Sequence, residues 1–257
     1  MGVVNVTPDS FSDGGAFLAP PAAIAQARHL VEEGAAIIDI GAESTRPGAR
    51  PVDEQEELAR LLPVLRGIRD LGVPVSVDTR RAAVMRAVLA EGASMINDIE
   101  ALSAPGALEA VAGTDCAVCL MHKKGEPATM QQNPRYDDVV AEVFAFLATR
   151  VAAAQAAGIA RNRIVIDPGF GFGKTDTHNF ALLRNLRGLA RQGLPVLAGL
   201  SRKSTLGRIT GRPAGDRKAA SVTAALLAAQ RGAKILRVHD VGETRDALAV
   251  WKAVEAG

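Results

Sequence analysis

Two short segments combine the residue types that could hold a phosphate or diphosphate group. The motif SRKS at 201–204 follows the apolar run 196–200, and the motif RVHD at 237–240 follows the apolar run 233–236. Cationic side chains, hydroxyls and N–H groups at the end of a strand are the donors that such an anion needs. Carboxylates and one amide stand at the ends of other apolar runs: Asp39, Asp78, Asn97 and Asp167. Together these groups predict an anion site beside a site for a polar heterocycle, which suits group transfer from a diphosphate ester.

The size and composition of the chain permit one fully formed hydrophobic core. Its 257 residues are 48% hydrophobic, which is within the range where a single α/β barrel is common. The net charge of +2 and the aromatic content of 4% do not suggest a nucleic-acid-binding surface. No apolar run approaches the roughly 18 residues that span a membrane, and no basic segment precedes the first apolar run, as it would in a signal peptide. We therefore expect a cytoplasmic protein without nucleic-acid or membrane partners.

Short apolar runs alternate with longer amphipathic stretches along the whole chain. The runs predict eight strands, at 2–6, 36–40, 75–78, 95–97, 116–121, 164–167, 196–199 and 235–238. The stretches between them predict eight helices, near 20–33, 53–71, 80–91, 104–112, 137–157, 178–192, 216–231 and 244–255. Eight β-then-α units of about 32 residues each predict an α/β fold of the (β/α)8 TIM-barrel type, as a single domain over residues 1–257. A doubly wound open sheet is the alternative.

One local pattern occurs three times and supports this count. Gly34, Gly92 and Gly232 each stand where a predicted helix ends, directly before the second, fourth and eighth strands. Glycine tolerates the left-handed backbone conformation that closes a helix. The strands that follow are continuous apolar runs, as expected for strands that are buried on both faces.

Two motifs that are often associated with cofactors are better explained as structural features. Cys116 and Cys119 have the CxxC spacing, but residues three apart in a strand face opposite sides of the sheet. We therefore expect two separate core residues that share neither a metal nor a disulfide. The glycines at 169, 171 and 173 lack the spacing of a dinucleotide fingerprint and the acidic residue about 20 positions further on.

In a (β/α)8 barrel the C-terminal ends of all strands meet at one mouth. Polar residues follow all eight predicted strands: Asn5, Asp39, Asp78, Asn97 with Asp98, His122, Asp167, the segment 201–204, and Arg237 with His239. A single aspartate after a strand is commonly a helix cap or a turn residue. Eight polar strand ends together predict an active site at the mouth.

Five longer motifs resemble those of the dihydropteroate synthase family. They are NVTPDSFSDGG at 5–15, ESTRPG at 43–48, DPGFGFGK at 167–174, SRKS at 201–204 and RVHD at 237–240. The resemblance spans nearly the whole chain and implies a (β/α)8 barrel and a Mg²⁺-dependent transferase of folate biosynthesis. Such an enzyme joins 4-aminobenzoate to (7,8-dihydropterin-6-yl)methyl diphosphate and releases 7,8-dihydropteroate and diphosphate. Sulfonamides compete with 4-aminobenzoate in that family.

The resemblance also implies roles for individual residues. The residues expected to bind the pterin are Asp78, Asn97, Asp167 and Lys203. Those expected to bind the diphosphate are Asn5, Thr45, Arg237 and His239, and Asn5 is also the expected ligand of Mg²⁺. Those expected to bind 4-aminobenzoate are Thr45, Arg46, Pro47, Phe172, Lys203 and Ser204. The expected catalytic groups are Asp78, Asp167, Lys203, Arg237 and His239.

These roles agree with the chemistry of the residues. Carboxylates and an amide complement the N–H donors and the carbonyl of an aminopyrimidinone, and Arg237 and His239 are two apart, on one face of a strand. A single amide at Asn5 is a weak magnesium ligand, so the diphosphate and waters must complete the shell. Ser204 is expected to begin a short helix at 204–208 whose N-terminus attracts a carboxylate. Asp39 is expected to orient its neighbours.

Three residues depart from the usual pattern of the family. Lys123 stands where an apolar residue is more frequent, Ala42 replaces a glycine, and Glu100 stands where a smaller residue is common. We expect none of them to touch the substrates, although Lys123 and Ala42 could change loop movement. Family members also usually carry a few more residues before the first motif, so part of the barrel floor could be missing here.

Two other functions stay open at this point. A methyltetrahydrofolate-binding methyltransferase shares the pterin barrel but has no use for the SRKS motif or for the anion pair Arg237 and His239. A non-catalytic pterin-binding paralogue would keep the binding groups without turnover. A homodimer through late helices, such as the one near 216–230, is expected from the resemblance alone.

Overall fold

The strands form at short segments rich in apolar residues, many of them β-branched. The computed structural model describes residues 1–6, 20–43 and 52–256. Its eight strands are β1 (Gly2–Asn5), β2 (Ile38–Gly41), β3 (Val75–Asp78), β4 (Met95–Asp98), β5 (Ala117–Met121), β6 (Ile164–Asp167), β7 (Leu197–Ala198) and β8 (Ile235–Leu236). Each observed strand overlaps its predicted position, with the ends of β3 and β6 as predicted.

The helices lie between the strands as the sequence predicts, with one addition. They are α1 (Pro20–Glu32), α2 (Glu54–Gly67), α3 (Ala82–Ala90), α4 (Ala107–Ala112), α5 (Val139–Ala156), α6 (Asp176–Ala190), α7 (Ser204–Thr210), α8 (Lys218–Gln230) and α9 (Val241–Glu255). The short helix expected at Ser204 is α7, so the seventh unit contains two helices. The prediction that α2 continues to residue 71 is wrong, because the helix ends at Gly67, a residue type that weakens helix interiors.

Parallel pairing joins the strands into a closed ring. Strands β1 to β6 pair in chain order and β7 pairs with β8. Isolated bridges complete the ring, from Ile166 in β6 to Val196 and from Gly2 in β1 to Val238. The chain is therefore a (β/α)8 barrel, and the alternative of an open doubly wound sheet is wrong. Closure leaves no sheet edge exposed.

Residues along each strand face alternately towards the helices and into the barrel. The outward-facing apolar residues, for example Ile40, Val77 and Ile96, belong to the main core between the sheet and the helices. A second, small group of buried apolar residues lies inside the barrel and is here termed the inner cluster: Met95, Cys119, Val165 and Leu197.

The two cysteines occupy different parts of this architecture. Cys116 belongs to the main core, whereas Cys119 belongs to the inner cluster. Both are buried and free, so the prediction of two separate core residues is confirmed. Within the described ranges, no group of three or more His, Cys, Asp or Glu side chains could hold a metal ion.

The three repeated glycines close helices as predicted. Gly34, Gly92 and Gly232 have φ angles of 92°, 99° and 97°, in the left-handed region that other residue types rarely adopt. Each of them directly precedes the turn into a strand. The repeated pattern in the sequence is therefore a repeated helix stop.

Helix α5 is long and apolar enough, by length and composition alone, to cross a membrane. In the barrel, however, its residues Val143, Leu147 and Ala154 are part of the main core. The Nε of Arg150 donates a hydrogen bond of 2.8 Å to the carbonyl of Ala101. The apolar face of α5 therefore packs against the barrel.

Candidate active site

Side chains from β2, β3, β4 and the segment after β8 form one hydrogen-bonded group at the mouth, here termed the acid–arginine network. The Nε of Arg237 donates to Oδ2 of Asp39 at 2.6 Å, and its Nη2 donates to Oδ2 of Asp78 at 3.2 Å. The Nδ2 of Asn97 donates to the same oxygen of Asp39 at 3.3 Å. The strand register explains this meeting, because Asn97 pairs with Asp78 across neighbouring strands and paired residues share one face.

Burial changes the ionisation of this network. Asp39 is fully buried, while the side chain of Asp78 is 20% exposed. Burial raises the pKa of Asp78 to about 7, against the pull of Arg237. Burial also opposes the charge on Arg237, but Asp39 and Asp78 outweigh it and raise the pKa of the guanidinium. Arg237 is therefore a permanent cation at the mouth, whereas Asp78 exchanges its proton near neutral pH.

Asp39 orients its neighbours, as the sequence predicts. One of its oxygens accepts hydrogen bonds from both Arg237 and Asn97. The other oxygen, Oδ1, is buried and has no hydrogen-bond partner among the described residues. A buried acceptor without a donor is costly, so this oxygen is a place where a water or the N–H group of a ligand would be favoured.

Asp167 and Lys203 form a second group, from the end of β6 and the turn after β7. Oδ1 of Asp167 accepts from the backbone N–H of Gly169 at 2.7 Å, and burial raises the pKa of Asp167 while Lys203 opposes the shift. The Nζ of Lys203 donates to the carbonyl of Phe170 and lies 4.6 Å from the centroid of the Phe172 ring. Burial lowers the pKa of Lys203 to about 8, with Asp167 opposing. This side of the mouth combines a cation, a carboxylate and an aromatic face.

The two cationic motifs after β7 and β8 contact each other directly. Oγ of Ser201 lies 2.9 Å from Nδ1 of His239 and also accepts from the backbone N–H of His239 at 3.3 Å. Arg202 pairs with Asp240, with 2.6 Å between Nη2 and Oδ1, and has a φ of 57°. Arg202 therefore forms a structural ion pair. Lys203 is the cation of the same motif that interacts with the active-site carboxylates Asp167 and Asp78.

A chain of ion pairs joins the loops that follow β2, β3, β4 and β5. Glu100 accepts from Lys123 at 2.9 Å and from Arg80 at 3.1 Å. Arg80 and Arg81 also pair with Glu43, at 3.4 Å and 2.9 Å. Lys123 and Glu100, which the sequence predicts to lie away from the substrates, thus form an ion pair with one another.

The structure brings most of the predicted site residues to the mouth: Asp78, Asn97, Asp167, Phe172, Lys203, Arg237 and His239. Asn5 is the last residue of β1 and pairs in register with Gly41. Ser204 is exposed at the first position of α7, so its contact with a substrate stays a prediction. The remaining predicted residues lie outside the described residues: Thr45, Arg46 and Pro47.

Lys174 is a residue whose importance the sequence pattern did not reveal. It is only 1% exposed, and its Nζ lies 2.9 Å from Nδ1 of His122, beside the mouth. Its position at the end of the DPGFGFGK motif was the only signal. Among the described residues no carboxylate lies in direct contact with its Nζ, which is rare for a buried lysine and indicates a positional role.

Comparisons with known proteins agree with this geometry. Residues 1–239 match a family model described as pterin binding enzyme. The chain is 50% identical over 254 residues to the dihydropteroate synthase of Haemophilus influenzae, covering 98% of the chain and 92% of that relative. A solved dihydropteroate synthase of Xanthomonas albilineans with 4-aminobenzoic acid is 55% identical, with a TM-score of 0.94 and coverage of 100% and 92%. The Yersinia pestis dihydropteroate synthase in complex with a sulfonamide drug is 47% identical, with a TM-score of 0.95 and coverage of 100% and 94%.

Proposed function

Because the chain belongs to the pterin binding enzyme family, and the relatives described above are dihydropteroate synthases, we propose the same activity for it. It joins (7,8-dihydropterin-6-yl)methyl diphosphate to 4-aminobenzoate and forms 7,8-dihydropteroate and diphosphate. The observation that carries this proposal is the acid–arginine network. It holds acceptors for a heterocycle edge directly beside a permanent cation for a diphosphate.

Asp78, Asn97 and Asp167 are the groups proposed to bind the pterin, with Lys203 beside them. The aminopyrimidinone edge offers N–H donors next to a carbonyl, and carboxylates with one amide complement it. Asp78 can accept an N–H donor on each of its two oxygens only as the carboxylate, because protonation turns one oxygen into a donor. Pterin binding therefore selects the deprotonated form of a group whose pKa burial raises to about 7.

Arg237, His239 and Asn5 are the groups proposed to bind the diphosphate, together with Thr45. The Nη2 of Arg237 donates to Asp78 at 3.2 Å and its Nε donates to Asp39 at 2.6 Å. An entering diphosphate competes for the longer of these two bonds, while Asp39 keeps the guanidinium in place. Charge-assisted bonds from arginine to phosphate oxygens supply both affinity and orientation.

The donor set suits a Mg²⁺ ion that arrives with the diphosphate. Asn5 offers one amide oxygen at the end of β1, and no larger cluster of acidic, histidine or cysteine ligands occurs in the part of the chain that the structure describes. Mg²⁺ usually keeps several waters and binds substrate phosphates, so one protein ligand is sufficient. When bound, the ion would neutralise negative charge on the leaving diphosphate.

Phe172, Lys203 and Ser204 are the described residues proposed to bind 4-aminobenzoate, with Thr45, Arg46 and Pro47 completing the pocket. Phe172 supplies an apolar wall for the benzene ring, and Lys203 supplies a cation close to that ring. Inhibition by sulfonamides belongs to the same proposal and is supported by the drug complex of the Yersinia pestis relative.

The proposed reaction breaks the C–O bond between the pterin methylene and the diphosphate and forms a C–N bond to the arylamine. Positive charge develops on the methylene, and negative charge develops on the leaving group. Arg237 and His239 stabilise the diphosphate, while Asp78 and Asp167 favour the electron-rich, cation-forming ring. The arylamine is neutral at pH 7, so its attack needs no strong general base, and its proton passes to solvent. The displacement is dissociative and forms no covalent enzyme intermediate.

The direct test supplies purified protein and Mg²⁺ with the dihydropterin diphosphate, in the presence and absence of 4-aminobenzoate. We expect diphosphate and 7,8-dihydropteroate to appear in equal amounts only when both substrates are present. Methyl transfer to a corrinoid would instead identify a methyltransferase, and pterin binding without any product would identify a non-catalytic paralogue. A stable pterinyl–protein adduct would contradict the displacement mechanism.

A homodimer in the cytoplasm completes the proposal. Val250 and Val254 lie one turn apart on α9 and are 67% and 74% exposed, which is an apolar strip that a second copy of the chain would cover. Light scattering of the purified protein should give about twice the chain mass of 26.8 kDa. Cell fractionation tests the location.

A further inference from the structure

The segment 169–173, here termed the glycine loop, follows β6 and has an unusual set of hydrogen bonds. Each of its five backbone carbonyls accepts from a side chain outside the loop. Lys174 binds the carbonyls of Gly169 and Phe172, at 2.9 Å and 3.0 Å. The carbonyls of residues 170, 171 and 173 accept from Lys203, Gln131 and Tyr136, respectively.

Lys174 is the centre of this set because it is buried and supplies two of the five bonds. Its Nζ also lies 2.9 Å from Nδ1 of His122 and 3.3 Å from the carbonyl oxygen of the same residue, so four acceptors surround one buried amino group. Burial lowers the pKa of Lys174 to about 7, with Asp167 opposing the shift. Burial and the Lys174 charge lower the pKa of His122 to about 3, so the imidazole is neutral, and in its Nε2–H tautomer Nδ1 accepts from Lys174. Lys174 therefore ties the glycine loop to the end of β5.

The backbone of the glycine loop packs directly against the segment that follows β5. Gly169 has a φ of 67°, and a Cβ at this position would lie 1.9 Å from the carbonyl oxygen of His122. Any side chain here would push the loop away from β5. Lys174 lies at this contact and also comes within 3.3 Å of the same carbonyl oxygen, so one side chain spans the contact between the two segments.

The glycine loop carries part of the active site. Its Gly169 donates to the Asp167 carboxylate, and the ring of Phe172 lies against Nζ of Lys203. Arg237 and His239 are held separately, by Asp39 and Ser201. A displacement of the loop would thus move Phe172 and remove loop partners of Asp167 and Lys203, whereas Arg237 and His239 would keep their partners.

We propose that Lys174 is a positioning residue for the arylamine substrate: its buried amino group holds the glycine loop in the shape that places Phe172 and Lys203 around the ring of 4-aminobenzoate. This inference rests on the proposed function and assigns Lys174 to one substrate of the reaction. It predicts an unequal effect on the two substrates, which a role in stability alone would not produce.

The test is the variant Lys174→Met, which keeps the length of the side chain and removes its charge and donors. The KM for 4-aminobenzoate should rise about tenfold, the loss expected from one charge-assisted hydrogen bond. The KM for the dihydropterin diphosphate should rise less, by roughly two- to threefold, because Asp167 and Lys203 contact the loop whereas Asp78, Arg237 and His239 are held by residues outside it. The matched control is Lys234→Met, which alters an exposed lysine elsewhere in the barrel and should leave both constants unchanged.

A second, milder variant tests the same loop if Lys174→Met fails to fold. Tyr136→Phe removes only the bond of 2.8 Å to the carbonyl of Gly173 and keeps the half-buried ring. It should raise the KM for 4-aminobenzoate roughly two- to threefold, as expected for one neutral hydrogen bond. If Lys174→Met does not fold, the split measured for Tyr136→Phe decides the question.

The possible results separate the two claims. A folded Lys174→Met with equal rises in both KM values, or with unchanged KM values and a lower melting temperature, would overturn the role of Lys174 only. A native enzyme that forms no 7,8-dihydropteroate would overturn the proposed function. A selective rise for 4-aminobenzoate in both loop variants would support the positioning role.

Discussion

The charged half and the apolar half of the barrel interior share one layer of the strand register, but their side chains are stabilised in different ways. In one layer of the strand register, Asp78 pairs with Asn97, Asn97 with Cys119, and Cys119 with Val165. The first two belong to the mouth and are bound through a shared arginine and aspartate, whereas the last two belong to the inner cluster. Inward-facing positions therefore serve chemistry on one side of the ring and packing on the other.

Because of this difference, the two halves should respond differently to substitution. A charged group in the acid–arginine network depends on a specific partner, so that removing one member leaves another buried charge uncompensated. A residue of the inner cluster depends on volume, so that truncation leaves a cavity whose cost depends on its size. Substitutions in the acid–arginine network should therefore mainly lower activity, whereas substitutions in the inner cluster should mainly lower stability.

Arg237→Met should have the largest effect, because it removes the cation from two carboxylates at once. Leaving Asp39 buried without its partner should cost about 3 to 5 kcal/mol of unfolding free energy. Loss of the diphosphate contact should lower kcat/KM on the order of 100-fold. Urea unfolding and steady-state kinetics measure the two effects, and binding of a pterin that lacks the diphosphate should change far less than binding of the complete substrate.

The matched control for this variant combines Arg237→Met with Asp39→Asn. The neutral amide removes the uncompensated charge, so stability should return towards the native value while activity stays low. A double variant that is no more stable than Arg237→Met would show that the two residues are not coupled as described.

Leu197→Ala tests the apolar half and should have the next largest effect. Leu197 is fully buried in the inner cluster, and truncation of such a leucine costs about 2 to 5 kcal/mol of unfolding free energy. The kcat/KM per folded molecule should stay within roughly twofold, because no charge of the mouth is altered. A large loss of kcat/KM in protein that is still folded would contradict the separation of the two halves.

The pH dependence of pterin binding tests the ionisation of the mouth. The pKa of Asp78 is raised to about 7 by burial, against Arg237, and the bound pterin requires the carboxylate. The affinity for a pterin without diphosphate should thus be constant above about pH 7 and fall by up to about tenfold for each pH unit below it. Calorimetric titration at several pH values measures this slope. Asp78→Asn should bind more weakly and lose this slope, and an identical slope in that variant would assign the titration to another group.

Lys123→Met should have the smallest effect, although it alters a charge near the mouth. Glu100 keeps its bond of 3.1 Å to Arg80 when Lys123 is removed, so no carboxylate is left alone. The expected loss is under about 1 kcal/mol of unfolding free energy, measured by urea unfolding. Arg80→Met is the informative partner, since Arg80 joins Glu100 to Glu43, and it should cost more. A loss above about 3 kcal/mol for Lys123→Met would place this residue in the same class as Arg237.

The elements that the sequence predicted well are those with a local cause. β3 and β6 are short, mainly β-branched segments that end at an aspartate, and both have their predicted bounds. The three glycines that close α1, α3 and α8 are equally local, since the left-handed conformation is a property of the residue itself. Helix ends were predicted less well, as at Gly67 in α2, because competing backbone bonds and packing decide where a helix stops.

The sequence alone determined the order of strands and helices, the closed barrel class and the presence of polar residues at the strand ends, because apolar periodicity and residue conformation act over short distances. Only the tertiary structure decided that Asp39 and Asp78 engage Arg237, that Arg202 pairs with Asp240, and that a buried Lys174 ties the glycine loop to His122. These contacts join residues 38 to 198 positions apart. Their geometry follows from ring closure and strand register, which no local pattern contains.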